Sequence, residues 1–150
     1  MSQSLTKVLV HIVFSTKHRL PLVSDQIRPE MFSYIAGILK ELDSPALKIG
    51  GTKDHIHILC QLSKNFSLAK VLEEVKKSSS KWLKTKGPEF QKFYWQGGYS
   101  AFSVSQSNVE AVAKYIENQR EHHLVVSFQN ELRKLFEKNA ILFNEQYVWD

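Results

Sequence analysis

Cysteine is all but missing: the 150 residues hold one, Cys60. A single thiol excludes an internal disulfide framework and a cysteine-rich zinc site, and it suits a reducing compartment. Long apolar runs are missing as well. No stretch approaches the ~18 residues of a membrane helix, so no membrane partner is expected. The opening residues lack the charged, apolar and cleavage-site succession of a secretory leader, so a cytoplasmic location is the expectation. Neither a phosphate-binding glycine loop, a dinucleotide fingerprint nor a Ser-His-Asp order occurs. An acidic surplus is absent too: 20 Lys and Arg face 15 Asp and Glu, a net charge of +5. A polyanionic partner is compatible with that balance but not demanded by it. What the chain does have is 43% hydrophobic and 23% charged residues. That is enough to bury a core, and too few charges for a disordered polyelectrolyte. The length is that of one domain over 1–150, with no internal repeat. The basic, serine-containing run Lys76-Lys77-Ser78-Ser79-Ser80-Lys81 is the one segment of low complexity.

Periodicity divides the chain into elements. Lys7 to Phe14 carries Val8, Val10, Ile12 and Val13, and this β-branched density favours a strand. A basic connector, Ser15 to Pro21, leads to a helix from about Gln26 to Leu42, with Pro29 tolerated in its first turn. Pro45 to Gly50 reads as a short strand and Gly51 to Asp54 as a turn. His55 to Leu62 is a third strand, with Ile56, Ile58 and Cys60 on one face and His55, His57 and Leu59 on the other. A second helix spans about Ser67 to Thr85, stopped by Gly87-Pro88. A loop, Trp95 to Gly98, precedes a fourth strand, Tyr99 to Ser105. Ser107-Asn108-Val109-Glu110 has the form of a capping box, predicting a third helix to about Glu121. A fourth helix, Ser127 to Lys138, turns Phe128, Leu132, Leu135 and Phe136 inward. The order β-α-β-β-α-β followed by helices is an α+β, ferredoxin-like or RRM-like antiparallel sheet with additional C-terminal helices. Helices are expected on one face and an open working surface on the other.

Several residues on this frame are equipped for chemistry. His55 and His57 lie at i and i+2 of a strand, so both imidazoles project from one face. Such a pair can chelate a divalent ion, and it can equally be two solvated histidines. Asp54 either orients a ligand or serves the turn. His11 and His18 lie outside any tight pair, and His122-His123 reads as polar surface. On the third helix Tyr115 and Gln119 stand one turn apart on one stripe, beside the core stripe of Val109, Val112 and Ile116. A phenol is a poor nucleophile near its free pKa of about 10. A metal that polarises a phosphate beside it makes covalent phosphoryl transfer feasible. The alternative is a tyrosine packed in a helix interface. Cys60, on an apolar strand face, is no nucleophile. Basic residues with aromatic neighbours suit single-stranded nucleic acid, and Lys17, Arg19 and Lys53 stand nearest to the other motifs.

Four segments, taken in order, resemble one family. Val13 to Arg19 (VFSTKHR) is similar to its opening motif. Gly50 to Leu59 (GGTKDHIHIL) holds a His-apolar-His, or HUH, motif. Trp95 to Ser105 (WQGGYSAFSVS) resembles its glycine loop and fourth strand, and Tyr115-Ile116-Glu117-Asn118-Gln119 its catalytic helix. The family is that of the single-tyrosine HUH transposases, the small enzymes of insertion sequences that move as single-stranded DNA. The resemblance covers roughly residues 7 to 140, and four ordered motifs are far more specific than one. It implies that Tyr115 attacks a phosphodiester of single-stranded DNA, forming a 5′-phosphotyrosine and freeing a 3′-OH. It implies that His55, His57 and Gln119 hold Mg²⁺ or Mn²⁺. Partners would be hairpins at the element ends and a second copy of the chain, with Tyr115 of one subunit serving the histidines of the other. Palindrome-associated domesticated relatives usually carry Asn-Pro where this chain has Asn118-Gln119, which favours the insertion-sequence branch.

Two other functions fit the bare residues. A non-catalytic RRM-like module would bind single strands without metal or Tyr115, although His55 and His57 stand where such readers place aromatics. A metal-dependent phosphodiesterase using water would turn over without an adduct.

Overall fold

The computed structural model describes residues 2–150. Four strands make one antiparallel sheet: β1 (Val8–Ser15), β2 (Ala46–Gly51), β3 (His55–Leu62) and β4 (Ser100–Val104). Their spatial order is β2-β3-β1-β4, so β1 and β3, the two longest, lie in the middle. The crossovers are α1 (Arg28–Glu41) and α2 (Leu68–Lys84), as the βαββαβ reading requires. Ser67 caps α2 by accepting a hydrogen bond from the Lys70 amide at 3.1 Å. Among the described residues, no helix is long and apolar enough to cross a membrane.

The first core lies between the sheet and these two helices. Ile12, Phe14, Ile56, Ile58 and Cys60 point down from the sheet onto Met31, Ile35 and Leu39 of α1 and Val71, Leu72 and Val75 of α2. This is the strand face that alternation assigns to the interior. Trp95 closes one end, edge-on to Phe14 with ring centroids 4.8 Å apart and its indole N–H donating to Ser79 Oγ.

The second sheet face is not open. After β4 come α3 (Val109–Glu117), α4 (Gln119–His122) and α5 (Phe128–Lys138), and they fold back across it. Val13 and Phe102 meet Phe128, Leu132 and Phe136 of α5 in a second core, with Val148 and Trp149 of the tail packed against it. The expectation of a free working surface fails because α5 has its own apolar stripe to bury, and the sheet face offers the matching one. Leu9, His11 and Val13 are consequently as buried as the residues of the opposite face.

Two boundaries also differ. The capping box at Ser107 does not form: a 3₁₀ turn (Gln106–Asn108) leads into α3, whose first residue follows Asn108 without a side-chain cap. The third helix does not run to Glu121 either. It breaks at Asn118 (φ −94°, ψ 23°), and Gln119 opens a short separate turn.

Candidate active site

Local structure fixes the histidine pair. His55 and His57 alternate with Ile56, which goes to the first core, so both rings project into the space beneath α3–α5. Both are buried, 2% and 0% exposed. The reading of two solvated histidines is therefore excluded. Asp54, in the turn before β3, receives His55 Nδ1 at 2.8 Å, and Thr52 Oγ1 steadies the same carboxylate at 3.0 Å. That is the arrangement of a carboxylate behind a ligating imidazole. It holds the Asp54 carboxyl below its ordinary range: burial opposes the shift, and the hydrogen bond and charge of His55 outweigh it.

His57 has a partner that sequence reading overlooked. His11 on the neighbouring strand β1 places its Nε2 2.8 Å from His57 Nδ1, with the two rings stacked at 5.0 Å. The expectation that His11 stands outside any tight pair is corrected here. Both bases are hard to protonate. Burial first, and then the neighbouring imidazole, push His11 down to about 3. Burial pushes His57 down to about 4, against the raising effect of Glu131.

Glu131 is the second overlooked residue, and the site is organised around it. It sits on α5 between Phe128 and Leu132, on the inward stripe, and is 2% exposed. Its Oε1 lies 3.0 Å from His57 Nε2 and 3.1 Å from His123 Nε2. Its Oε2 accepts from Gln119 Nε2 at 3.0 Å and from the Tyr115 hydroxyl. A buried carboxylate without such partners would be costly. Here burial raises its pKa, and hydrogen bonds from His123 and His57 more than reverse that, so Glu131 is ionised across the whole physiological range. His55, His57 and Glu131 form a group whose donor atoms are close enough to hold one metal ion, and His122, His123 and Glu131 form another. The pair His122-His123 is thus not simply polar surface. His123 stands 4.5 Å from the His55 ring, and its Nδ1 is bonded to the Val126 carbonyl.

Tyr115 and Gln119 arrive on opposite sides of the helix break yet remain together, with Gln119 Nε2 3.4 Å from the Tyr115 carbonyl. Gln119 Oε1 lies 3.0 Å from His55 Nε2. α3 can bring Tyr115 this close because it rests directly on β2 at Gly50, where a Cβ atom would meet the Ile116 carbonyl at 2.2 Å. Burial first, and then the negative charge of Glu131, drive the Tyr115 phenol far above its ordinary value. The hydroxyl is held as a neutral donor, not as a phenolate.

The cluster separates two pockets. One of about 550 Å³ is lined by His55, His123, Arg19, Arg28, Lys53 and Arg120. The other, about 450 Å³, is lined by Tyr115, His11, His122 and Glu131. Of the three basic residues singled out in the sequence, Arg19 and Lys53 line the first pocket beside the histidines. Lys17 does not line it. It opens the 3₁₀ turn Lys17–Arg19, in which His18 and Arg19 both take positive φ (56°) and so redirect the chain.

Glu131 and His11 carried usable signals. A glutamate at an inward position of an amphipathic helix, three residues after Phe128 and one before Leu132, is an anomaly that a buried site explains. His11, between Leu9 and Val13 on a strand buried on both faces, is another. Nothing in the sequence pairs these residues with β3.

Comparisons with known proteins bear on the family and the fold. The family described as "Transposase IS200 like" matches residues 4–119. Among solved structures, a Deinococcus radiodurans R1 protein described as a candidate transposase superposes with a TM-score of 0.61 at 19% identity, over 79% of this chain and 98% of that one. A REP-associated tyrosine transposase bound to a REP hairpin superposes with a TM-score of 0.54 at 14% identity, over 77% of this chain and 70% of that one. At these identities the two structures show a shared fold. No curated protein matches the sequence.

Proposed function

The chain belongs to the IS200-like transposase family, and from that premise we propose that it cleaves and rejoins single-stranded DNA through Tyr115. The observation that carries this reading is convergence: Tyr115, His55, His57 and Gln119, from three different elements, all meet at Glu131. A tyrosine packed for structure alone has no need of a buried carboxylate and two buried imidazoles. In the proposed step Tyr115 Oη bonds to the scissile phosphorus and the bond from phosphorus to the 3′ oxygen breaks. The product is a 5′-phosphotyrosine, and the leaving oxygen takes a proton to become a 3′-OH. The phenol's own proton is already directed at Glu131 Oε2. Rejoining is the reverse attack by a 3′-OH.

The donor chemistry fits a divalent ion. Two imidazole nitrogens, an amide oxygen and a carboxylate face one another in a buried space, and Asp54 backs one of the imidazoles. His55, His57 and Gln119 would hold Mg²⁺ or Mn²⁺ there, with the Glu131 carboxylate alongside. When bound, such an ion polarises the phosphate and stabilises the departing oxygen. Arg19 and Lys53 border the pocket that leads to His55 and would seat the phosphate backbone. A hairpin ligand is supported by the similar fold of the REP-associated transposase, which is bound to one.

A dimer with exchanged tyrosines is part of the proposal. Tyr115 opens on a different pocket from Arg19 and Lys53. A strand seated on those two residues would reach His55 from that pocket, and the tyrosine of a second subunit would take the place that this chain's own Tyr115 holds beside Glu131. Retention of Gln119 after Asn118 supports an insertion-sequence enzyme over a domesticated one.

The test is adduct formation. Wild type and Tyr115→Phe are mixed with labelled single-stranded hairpins in Mn²⁺ or EDTA and resolved under denaturing conditions. A labelled protein band with wild type and metal, and none with Tyr115→Phe or EDTA, is the expected outcome. Cleavage that persists in Tyr115→Phe would overturn the tyrosine mechanism in favour of hydrolysis by water.

A further inference from the structure

Glu131 belongs to two groups of donor side chains that share no other residue: His55 and His57 on one side, His122 and His123 on the other. Its two oxygens divide the contacts. Oε1 lies 3.0 Å from His57 Nε2 and 3.1 Å from His123 Nε2. Oε2 lies 3.3 Å from His122 Nε2 and also accepts from the Tyr115 hydroxyl. The donor atoms of His122, His123 and Glu131 all stand within 4.8 Å of one another. Among the described residues, no such group joins His122 or His123 to His55 or His57. Donors about 2.1 Å from one ion are roughly 3.0 to 4.2 Å from each other in an octahedron. The 3.1 Å and 3.3 Å contacts are spacings of that kind.

A second observation points to the same place. His122 Nε2 is the one buried side-chain nitrogen or oxygen, among the described residues, that has no hydrogen-bond partner. Glu131 is near it but off the line of a hydrogen bond. A buried polar atom left in this way is costly, and a cation between it and the carboxylate would satisfy it. The ring is held where it is, edge-on to Tyr115 with centroids 5.3 Å apart and to His123 at 5.1 Å. His123 is held as well: its Nδ1 lies 2.6 Å from the Val126 carbonyl, the usual backing of a ligating imidazole. The short helix α4 ends at His122 and His123 caps it, so the two neighbours leave the helix in different directions and bring one imidazole to each oxygen of Glu131.

We propose that His122, His123 and Glu131 bind a second divalent ion, with Glu131 bridging it to the ion of the His55–His57–Gln119 site. The bridge rests on the metal reading given above; the second site has donors of its own. Two imidazoles and one carboxylate take Zn²⁺ or Mn²⁺ in preference to Mg²⁺. The site is on the tyrosine side of the carboxylate, since Oε2 faces both His122 and Tyr115, and those two residues line the same pocket. In two-ion sites, ions roughly 3.5–4 Å apart flank the attacking and the leaving oxygens of a displacement. The second ion is the one beside the attacking oxygen.

The test counts ions on the full chain without DNA. Bound Mn²⁺ per chain is measured by equilibrium dialysis and metal analysis for wild type, His55→Ala, His122→Gln and His123→Gln. Two ions are expected in wild type and one in each variant. Circular dichroism checks folding, and His122, with its side chain 30% exposed, is the substitution that disturbs the core least. One ion in wild type, lost in His55→Ala and kept in His122→Gln, would overturn this inference and leave the histidine-pair site intact. Two ions in wild type, with both kept in His122→Gln and His123→Gln, would overturn it by placing the second ion elsewhere. One ion that is kept in His55→Ala and lost in His122→Gln would uphold this site and overturn the histidine pair. No Mn²⁺ bound by wild type would overturn both.

Discussion

His57 lies wholly buried between His11 and Glu131, and its proton affinity follows from that position. In the unfolded chain both histidines titrate near 6.5; in the folded chain His11 is pushed down to about 3 and His57 to about 4. Above pH 6.5 neither state is charged at these residues, and they contribute no pH dependence. Below it the unfolded chain takes up protons that the folded chain refuses, so stability falls as the pH drops. His122, also lowered by burial, acts in the same direction, and His123, whose value is raised chiefly by Glu131, acts against it. Between pH 6.5 and 4.5 the lowered groups prevail. The loss assigned to His57 is on the order of 3 kcal/mol. Urea unfolding in EDTA across this range is expected to show that decline. His11→Gln, which can still hydrogen-bond His57, is expected to flatten it, and an unchanged slope in that variant would remove His11 from the account. Glu131 adds to the decline only at lower pH: its depressed value means its contribution is complete above the unfolded carboxyl value and is lost on acidification below it.

Among the elements, the contact that matters most for the site is that of α3 on β2. It is a backbone approach: a methyl group on Gly50 would sit 2.8 Å from the Ile116 side chain and closer still to its carbonyl. Neither neighbour is the free end of a flexible chain, since Ile116 is fully buried. Gly50→Ala must therefore move α3 as a unit, and Tyr115 with it. We expect a loss of about 1–3 kcal/mol, the range of overpacked cores. The same shift should lower adduct formation more than it lowers Mn²⁺ binding, because His55 and His57 are on β3 and do not travel with α3. Thermal unfolding and calorimetry separate the two effects. Equal losses of both would mean that Gly50 matters only for general stability. The break at Asn118 has a related consequence. An unbroken helix to Glu121 would carry Gln119 along the stripe of Tyr115; the break instead lets the side chain of Gln119 enter the cluster beside it, 1% exposed.

At the level of the whole molecule, basic groups are gathered at one mouth of the site. Arg19, Arg28, Lys53 and Arg120 come from the connector after β1, the start of α1, the turn before β3 and α4, and meet only in the folded protein. Arg28 is partly committed to Asp25 and to the Val23 carbonyl. Arg19 leans over the Trp149 ring at 5.8 Å. Phosphate contacts release counterions, so each lost contact reduces the salt dependence of binding. Arg19→Ala and Lys53→Ala are expected to weaken single-stranded DNA binding and to lower the slope of log affinity against log salt by roughly 0.7 each. Lys17→Ala, outside that pocket, is expected to change the slope less. Fluorescence anisotropy over a salt series checks this. A slope that responds to Lys17 and not to Arg19 or Lys53 would move the DNA path away from His55.

Much of this protein is written locally. Alternation along β1 and β3 and the apolar stripes of α1, α2 and α5 are short-range patterns, and they determine the βαββαβ order and the first core. The spacing of His55 and His57 fixes their common face, because a strand repeats every two residues. Tyr115 and Gln119 are legible for a similar reason, four residues apart, although the helix breaks between them at Asn118. The tertiary structure decided the rest. Whether the second sheet face stayed free depended on where α5 docked, and its stripe of Phe128, Leu132 and Phe136 found Val13 and Phe102. That docking carried Glu131 into contact with residues 74 positions away in the chain, and β1 set His11 against a histidine 46 positions on. Such meetings are long-range consequences of burying two apolar surfaces together. No local period encodes them, and so the carboxylate at the centre of the cluster and the His11 partner of His57 emerge only once the chain is folded.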